Sequence, residues 1–323
     1  MDILFITCSR IGDAVLTTGI LGDIRRRFPN ARVTIAVDPL PAPLFEDYPL
    51  LKDMIVFPKQ RNSKHWFALW KKVIGRRWDW VIDLRGSVIS YALRANRRSV
   101  WKSIPGDPRH KVEQISALVG GKAHSPELWF KEERLEKARS LIQGPCLAVA
   151  PAANWIGKQW PIQSFIAVLQ RFTQDHPEAK VAIFAAPHEK GMVDPLIDAL
   201  PKEKVLSFFD QKLDLLETAA CIKQCKVFLG NDSGLMHIAA AVETPTIGLF
   251  GPSREQNYRP WQEEGVTRNT VVRIPMTYDD LKTSLGFSHK SGDCYMTTLD
   301  VEVVWPVLEK HWAFASGARP YYS

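Results

Sequence analysis

The 323-residue chain is short of several things, and each shortage excludes something. No run of about 18 apolar residues occurs, so no segment reads as a membrane-spanning helix. The amino terminus carries Asp2 and then only a four-residue apolar run, which predicts no signal peptide. Cysteine is sparse, odd in number and scattered (Cys8, Cys146, Cys221, Cys225, Cys294). The Cys221–Cys225 spacing fits neither a usual zinc site nor a CxxC redox motif, so reduced, buried thiols in a cytosolic protein are expected. The GxGxxG dinucleotide fingerprint is missing from the first strand–helix turn, which weakens a nicotinamide-cofactor reading. Acid is scarce in one place: from Lys59 to Lys111 there are 14 Lys or Arg and three Asp or Glu. The rest of this chain of net charge +7 is therefore net acidic. The same segment holds Trp66, Trp70, Trp78, Trp80 and Trp101. It points to an anionic partner, the alternative being a solvated basic face with some of the indoles in the core.

The length suits two domains, each able to bury its own core. Short apolar runs alternate with helical periodicity along the chain. Strands are expected at 3–6, 33–37, 54–57 and 80–84, and helices at 14–28, 65–74, 87–95 and 112–119. Near Gly144-Pro145 the pattern restarts, with strands at 146–150 and 181–184 and helices at 162–172 and 213–225. The prediction is α/β: two doubly wound Rossmann-like domains facing a cleft, with boundaries 1–143 and 144–298. A closing helix and tail, 299–323, is expected to pack back towards the N-terminal domain, with Pro306 in its first turn or kinking it.

The stretch Lys226–Ser253, KVFLGNDSGLMHIAAAVETPTIGLFGPS, is the most informative. It reads as strand, tight turn, helix, turn, strand. Its first loop opens onto a helix N-terminus, where unpaired N–H groups and the macrodipole attract anions. Ser233 or Asp232 can cap that helix, and His237 lies one turn on, as a ligand or as a core residue. Three other loops after strands carry polar residues: Gly12-Asp13, Lys158 and Glu189. In a doubly wound fold all four loops would lie along one cleft rim, as transfer between two substrates requires. From the residues alone each has a plainer reading. Asp13 could be only a helix cap, Glu189 a first-turn helix charge, and Lys158 a stem packed on Trp155 and Trp160.

The segments ILFITCSRIGDAVLTTGIL, RWDWVIDLRG, PAANWIGKQWP, GNDSGLMHIAAAVETPTIGLFGPS and CYMTTLDVEVV together resemble the bacterial lipopolysaccharide heptosyltransferases, glycosyltransferase family 9. The resemblance runs from the first strand to the tail, and its specific part is Asp-Ser-Gly-x-x-His with the following Pro-Thr and Phe-Gly-Pro. It implies a two-domain GT-B fold. It also implies inverting transfer of heptose from ADP-L-glycero-D-manno-heptose to the lipopolysaccharide inner core. Asp13 falls on the family's general-base position and Lys158 on its donor-phosphate lysine. Gly12, Glu189, Asp232, Ser233, Gly234 and His237 fall on the donor side. Arg61 and Lys64, in KQRNSKHW, resemble the acceptor loop; His110 and Lys111, in PRHKVE, are similarly placed.

Each assignment makes chemical sense. A carboxylate can take the proton of an acceptor hydroxyl as the anomeric C–O bond breaks, and lysine plus a helix N-terminus can stabilise a departing diphosphate. Asp-x-Asp, a common divalent-ion motif of sugar transferases, occurs nowhere in the chain, so no metal and no cofactor is expected. The implied partners are a nucleotide sugar, an anionic lipid A–Kdo acceptor and the inner leaflet, with no nucleic acid. The implied place is the cytoplasm, peripheral to the inner face of the membrane. The rival readings are a family 9 enzyme with another nucleotide sugar or acceptor, a GT-B-like binding protein without turnover, and a nucleic-acid binder, for which no module is recognised.

Overall fold

The computed structural model describes residues 1–121, 123–209, 213–284, 287–288 and 292–317, and it divides into two units, Met1–Lys131 and Glu132–Ser323. The first unit is built on β1 (Asp2–Ile6), α1 (Ile11–Arg27), β2 (Arg32–Val37), β3 (Leu51–Val56), α2 (Lys64–Val73), β4 (Arg77–Asp83), β5 (Arg94–Val100) and α3 (Lys111–Ala117). Its five strands are all parallel in the order β3-β2-β1-β4-β5, with Ile3 opposite Val33 on one side and Trp80 on the other. The runs ILFI and VTIAV are apolar on both faces because helices cover both sides of a parallel sheet. One face packs Leu4, Ile6, Ala36 and Val81 against Leu69 and Val73 of α2.

The second unit contains α4 (Glu132–Leu141), β6 (Cys146–Ala150), α5 (Ile162–Asp175), β7 (Lys180–Ile183), α6 (Lys190–Asp198), β8 (Val205–Ser207), α7 (Leu215–Gln224) and β9 (Val227–Asn231). It continues with α8 (Gly234–Ala241), β10 (Thr246–Phe250), α9 (Glu255–Tyr258), β11 (Thr270–Arg273), α10 (Tyr278–Thr283) and α11 (Val301–Ala315). Its six strands are parallel in the order β11-β10-β9-β6-β7-β8. Both units are therefore doubly wound α/β, as expected. Among the described residues no helix is long and apolar enough to cross a membrane.

Three expectations are corrected. The boundary lies at Lys131/Glu132 rather than 143/144. The reason is that α4 docks on α7 through Arg134–Asp214 at 2.6 Å and Lys137–Glu217 at 2.7 Å. The closing helix α11 packs on α5 of its own unit: Trp312 meets Phe172 edge-on at 4.8 Å and Arg171 lies 4.3 Å over Trp305. Pro306 is inside α11, and residues 318–323 lie outside the described residues. The helix expected at 87–95 is a 3-10 turn, Val88–Ala92, followed by the edge strand β5. Its arginines suit an edge: Arg97 lies 3.9 Å over the Trp80 indole, and Arg98 donates to the carbonyl of Ser90 at 3.0 Å. Trp78 and Trp80 are buried, so two of the five indoles of the basic segment belong to the core.

Candidate active site

In a doubly wound sheet the crevice beyond the strands' carboxyl ends opens where the strand order reverses. In the second unit that point lies between β6 and β9. The loop after β6 carries Lys158, and the loop after β9 carries Asp232 and Ser233. The topology thus brings together residues 74 apart in sequence: Lys158 Nζ donates to Asp232 Oδ2 at 2.6 Å, with Asp232 buried. Lys158 is therefore an ion-pair partner and not merely a stem packed on indoles.

Asn231 holds this corner. Its fully buried side chain accepts the Trp160 N–H at 3.0 Å and donates to the Pro151 carbonyl at 2.7 Å, tying both ends of the lysine loop to β9. Gly157 lets the same loop fold tightly, since a Cβ there would come within 2.5 Å of the Trp155 indole. Trp160 Nε1 donates to the Leu299 carbonyl at 2.9 Å and anchors the loop from behind.

Ser233 is the N-cap of α8 with extended backbone, yet its side chain makes no capping bond. Its Oγ is buried without a hydrogen-bond partner among the described residues. A serine hydroxyl at an N-cap ordinarily satisfies a first-turn N–H, so this arrangement leaves the hydroxyl available to a ligand at the helix mouth. Gly234 is the first residue of α8 and His237, in its first turn, is buried. Ser253, beyond β10, likewise has a buried Oγ with no partner among the described residues. Glu189, in the 3-10 turn after β7, accepts the Ala186 N–H at 2.7 Å with one carboxylate oxygen, and the other lies 3.9 Å from His188 Nε2. One oxygen is thus occupied in capping its own turn.

In the first unit the strand order reverses between β1 and β4. Gly12 and Asp13 lie in the first turn of α1, directly after β1. The cap position is Arg10, so the helix-cap alternative for Asp13 fails: its half-buried carboxylate accepts no hydrogen bond among the described residues. Its electrostatic neighbours are Cys8 and Lys111. Burial first, and the Asp13 charge second, push the Cys8 thiol up to about 12. Burial pulls the Lys111 ammonium below the usual lysine range, and the Asp13 carboxylate opposes it. Lys111 Nζ sits 3.9 Å over the Trp101 ring.

His110, expected to meet the acceptor, is buried, and its Nδ1 accepts the Val112 N–H at 3.1 Å as the cap of α3. Glu113 completes that box by accepting the His110 N–H at 2.8 Å. Arg61 and Lys64 stand exposed at the entrance to α2, with no ion pair among the described residues.

The sequence reading missed the Asn231 clamp and the Ser253 hydroxyl. Asparagine after a strand reads as turn chemistry, and nothing local says that its amide reaches residues 71 and 80 positions away.

A family profile, Glycosyltransferase family 9 (heptosyltransferase), matches residues 109–274. The lipooligosaccharide heptosyltransferase 2 of Haemophilus influenzae is 24% identical over 93% of this chain and 96% of its own length. The lipopolysaccharide heptosyltransferase 2 of Salmonella typhimurium is 23% identical over 78% and 83%. Among solved structures, a glycosyl transferase family 9 protein of Veillonella parvula superposes with a TM-score of 0.78 at 19% identity, covering 97% of both chains. The ADP-heptose lipopolysaccharide heptosyltransferase II of Escherichia coli gives 0.77 at 18%, over 98% of this chain and all of the other. These likenesses carry the GT-B fold. With the family profile spanning just over half of its length, the chain belongs to glycosyltransferase family 9, the heptosyltransferases, and is a glycosyltransferase.

Proposed function

We propose that this protein transfers a heptosyl unit from ADP-L-glycero-D-manno-heptose to the inner core of lipopolysaccharide, with inversion and without a metal. The observation that carries the reading is the second unit's corner. An ammonium is held at 2.6 Å on a buried carboxylate, beside a helix N-terminus whose serine hydroxyl is buried and unpartnered among the described residues.

In this reading Lys158, the α8 amides and the Ser233 hydroxyl stabilise charge on the β-phosphate oxygen as its bond to the anomeric carbon breaks. Asp232 orients Lys158 and accepts a donor hydroxyl; a carboxylate is not itself a phosphate ligand. Gly234 admits the diphosphate close to backbone, and Glu189 and His237 contact ribose or sugar. In the first unit, Asp13 takes the acceptor's hydroxyl proton while that oxygen bonds to the anomeric carbon. The proton then leaves Asp13 for solvent, and ADP departs with the electron pair of the broken bond. Gly12 lets the chain run close to substrate beside it. Arg61, Lys64 and Lys111 contact the acceptor's phosphates and carboxylates.

The lysine and the helix N-terminus supply the positive charge that a divalent ion supplies elsewhere, consistent with the absence of Asp-x-Asp from the sequence. The acceptor is a lipid, so the enzyme works in the cytoplasm, peripherally attached to the inner face of the membrane.

Calorimetry with ADP, UDP, GDP and CMP tests the donor. ADP is expected to bind best and to weaken at least tenfold in Lys158→Ala; a preference for UDP removes the ADP-heptose reading. Undiminished transfer in EDTA is expected, and loss restored by a divalent ion refutes the metal-free mechanism.

A further inference from the structure

Apart from Lys64 at its start, the outer face of α2 (Lys64–Val73) has no role in the reaction above. His65, Leu69 and Val73 are buried, and Trp66 and Trp70 pack partly against the same core. The opposite stripe is Lys64, Phe67, Ala68, Lys71 and Lys72, all exposed. Phe67 is 57% exposed in the middle of that stripe. Its ring stacks on Trp70 at 5.7 Å and 18°, and Lys71 Nζ lies 4.6 Å over it. Phe67, Val56 and the partly exposed Trp66 and Trp70 make this an apolar surface flanked by lysines.

The charge around it is of one sign. Between Phe57 and Arg77 there are seven Lys or Arg and no Asp or Glu. Of these, Lys59, Arg61, Lys64, Lys71 and Lys72 form no ion pair among the described residues, while Arg76 faces Asp53 at 3.6 Å. Beside this face is a mainly apolar cavity of about 200 Å³, lined in part by Val56, Phe57, Ala68 and Lys72. Val56 at its edge is itself 41% exposed.

We infer that the outer face of α2 is the membrane-contacting element. It lies in the headgroup region of an anionic bilayer, with Phe67 inserted among the acyl chains and Lys71 and Lys72 on lipid phosphates. A single-stranded nucleic acid would use the cations and stack bases on open aromatic faces, but the Phe67 ring is already stacked on Trp70 with Lys71 over it. A neutral apolar protein surface would leave Lys59, Lys71 and Lys72 unmatched. An anionic lipid surface uses both. Trp66 and Trp70, half-buried at the helix flanks, have the amphipathic character of indoles at an interface. This inference rests on the peripheral attachment proposed above but not on the transfer reaction.

The test is co-sedimentation of the full chain with phosphatidylglycerol/phosphatidylcholine vesicles and with phosphatidylcholine vesicles alone, neither carrying a sugar acceptor. Binding is expected only with the anionic vesicles. Lys71→Glu/Lys72→Glu should weaken it more than tenfold, at about fivefold per lost cation. Phe67→Ser should weaken it about fivefold to tenfold. Because the three side chains are exposed, the variants should keep the parent's melting temperature, which serves as the folding control. Absence of wild-type binding, equal binding to neutral vesicles, or binding unchanged by both substitutions overturns the inference. So does a tighter, salt-sensitive complex with a single-stranded 20-mer that depends on the lysines. Failure of heptosyl transfer would leave this result standing, since the vesicles contain no substrate.

Discussion

Replacing Asn231 with alanine is the sharpest probe of how the donor corner is held. The side chain is fully buried and makes two hydrogen bonds, to the Trp160 N–H at 3.0 Å and to the Pro151 carbonyl at 2.7 Å. Both partners are buried backbone groups, so the substitution leaves a donor and an acceptor dry and unpaired. At about 1–3 kcal/mol for each of the two orphaned groups, the expected loss is about 2–6 kcal/mol. For a unit of this size about 1 kcal/mol corresponds to about 2–4 °C, so the melting temperature should fall by roughly 4–24 °C. The loop released is the one that carries Lys158, so ADP affinity should fall as well, although residue 231 is proposed to touch no ligand. Asn231→Asp separates the two bonds. It keeps the acceptor for Trp160 but sets a carboxylate against the Pro151 carbonyl, and it should be destabilised at neutral pH and partly recover in acid. Differential scanning calorimetry and ADP titration of both variants provide the check. An alanine variant that melts within 2 °C of the parent and binds ADP unchanged would refute the clamp.

Two further predictions concern titration. Burial pushes the Cys8 and Cys221 thiols up to about 12, which leaves about one thiol in ten thousand ionised at pH 8. Both should label slowly with iodoacetamide in the native protein and fully in urea; rapid native labelling of Cys8, which is half-buried, would contradict its raised proton affinity beside Asp13. Burial also lowers the proton affinity of His311, against the Val307 carbonyl at 2.9 Å on Nδ1. The unfolded chain therefore binds a proton below about pH 6.5 that the folded chain refuses, so stability is complete above that pH and is lost as the pH falls towards the folded value. Urea melts at pH 5.5 and 7.5 should show a smaller pH dependence in His311→Gln than in the parent. An identical slope would remove His311 from the account.

The doubly wound class was legible because parallel strands buried on both faces write themselves as continuous apolar runs, as ILFI, VTIAV and CLAVA do. The edges were not. In β5, RANRRSV has the composition of a solvated helix, and the parallel ladder to β4 that makes it a strand leaves no mark in the local sequence. The domain boundary was misplaced for a related reason: α4 is polar on most of its surface, and the ion pairs to Asp214 and Glu217 that assign it lie 80 residues away. At the candidate site, Lys158 and Asp232 could be named because each follows a strand, and the reversal of strand order at β6/β9 brings them together. The capping bond of His110 was not legible, since histidine is rarely a helix cap. Asn231 escaped because the groups it satisfies are distant backbone atoms, which leave no mark in the local sequence.

The central claim is that Asp13 removes the acceptor's proton while the donor is gripped by other residues. It is tested most directly by measuring, in one Asp13→Asn preparation, both heptosyl transfer and ADP affinity. The account predicts a loss of turnover of about 10²–10⁴-fold, with the dissociation constant for ADP within twofold of the parent's. Turnover close to the parent's, or a parallel collapse of ADP binding, would contradict it.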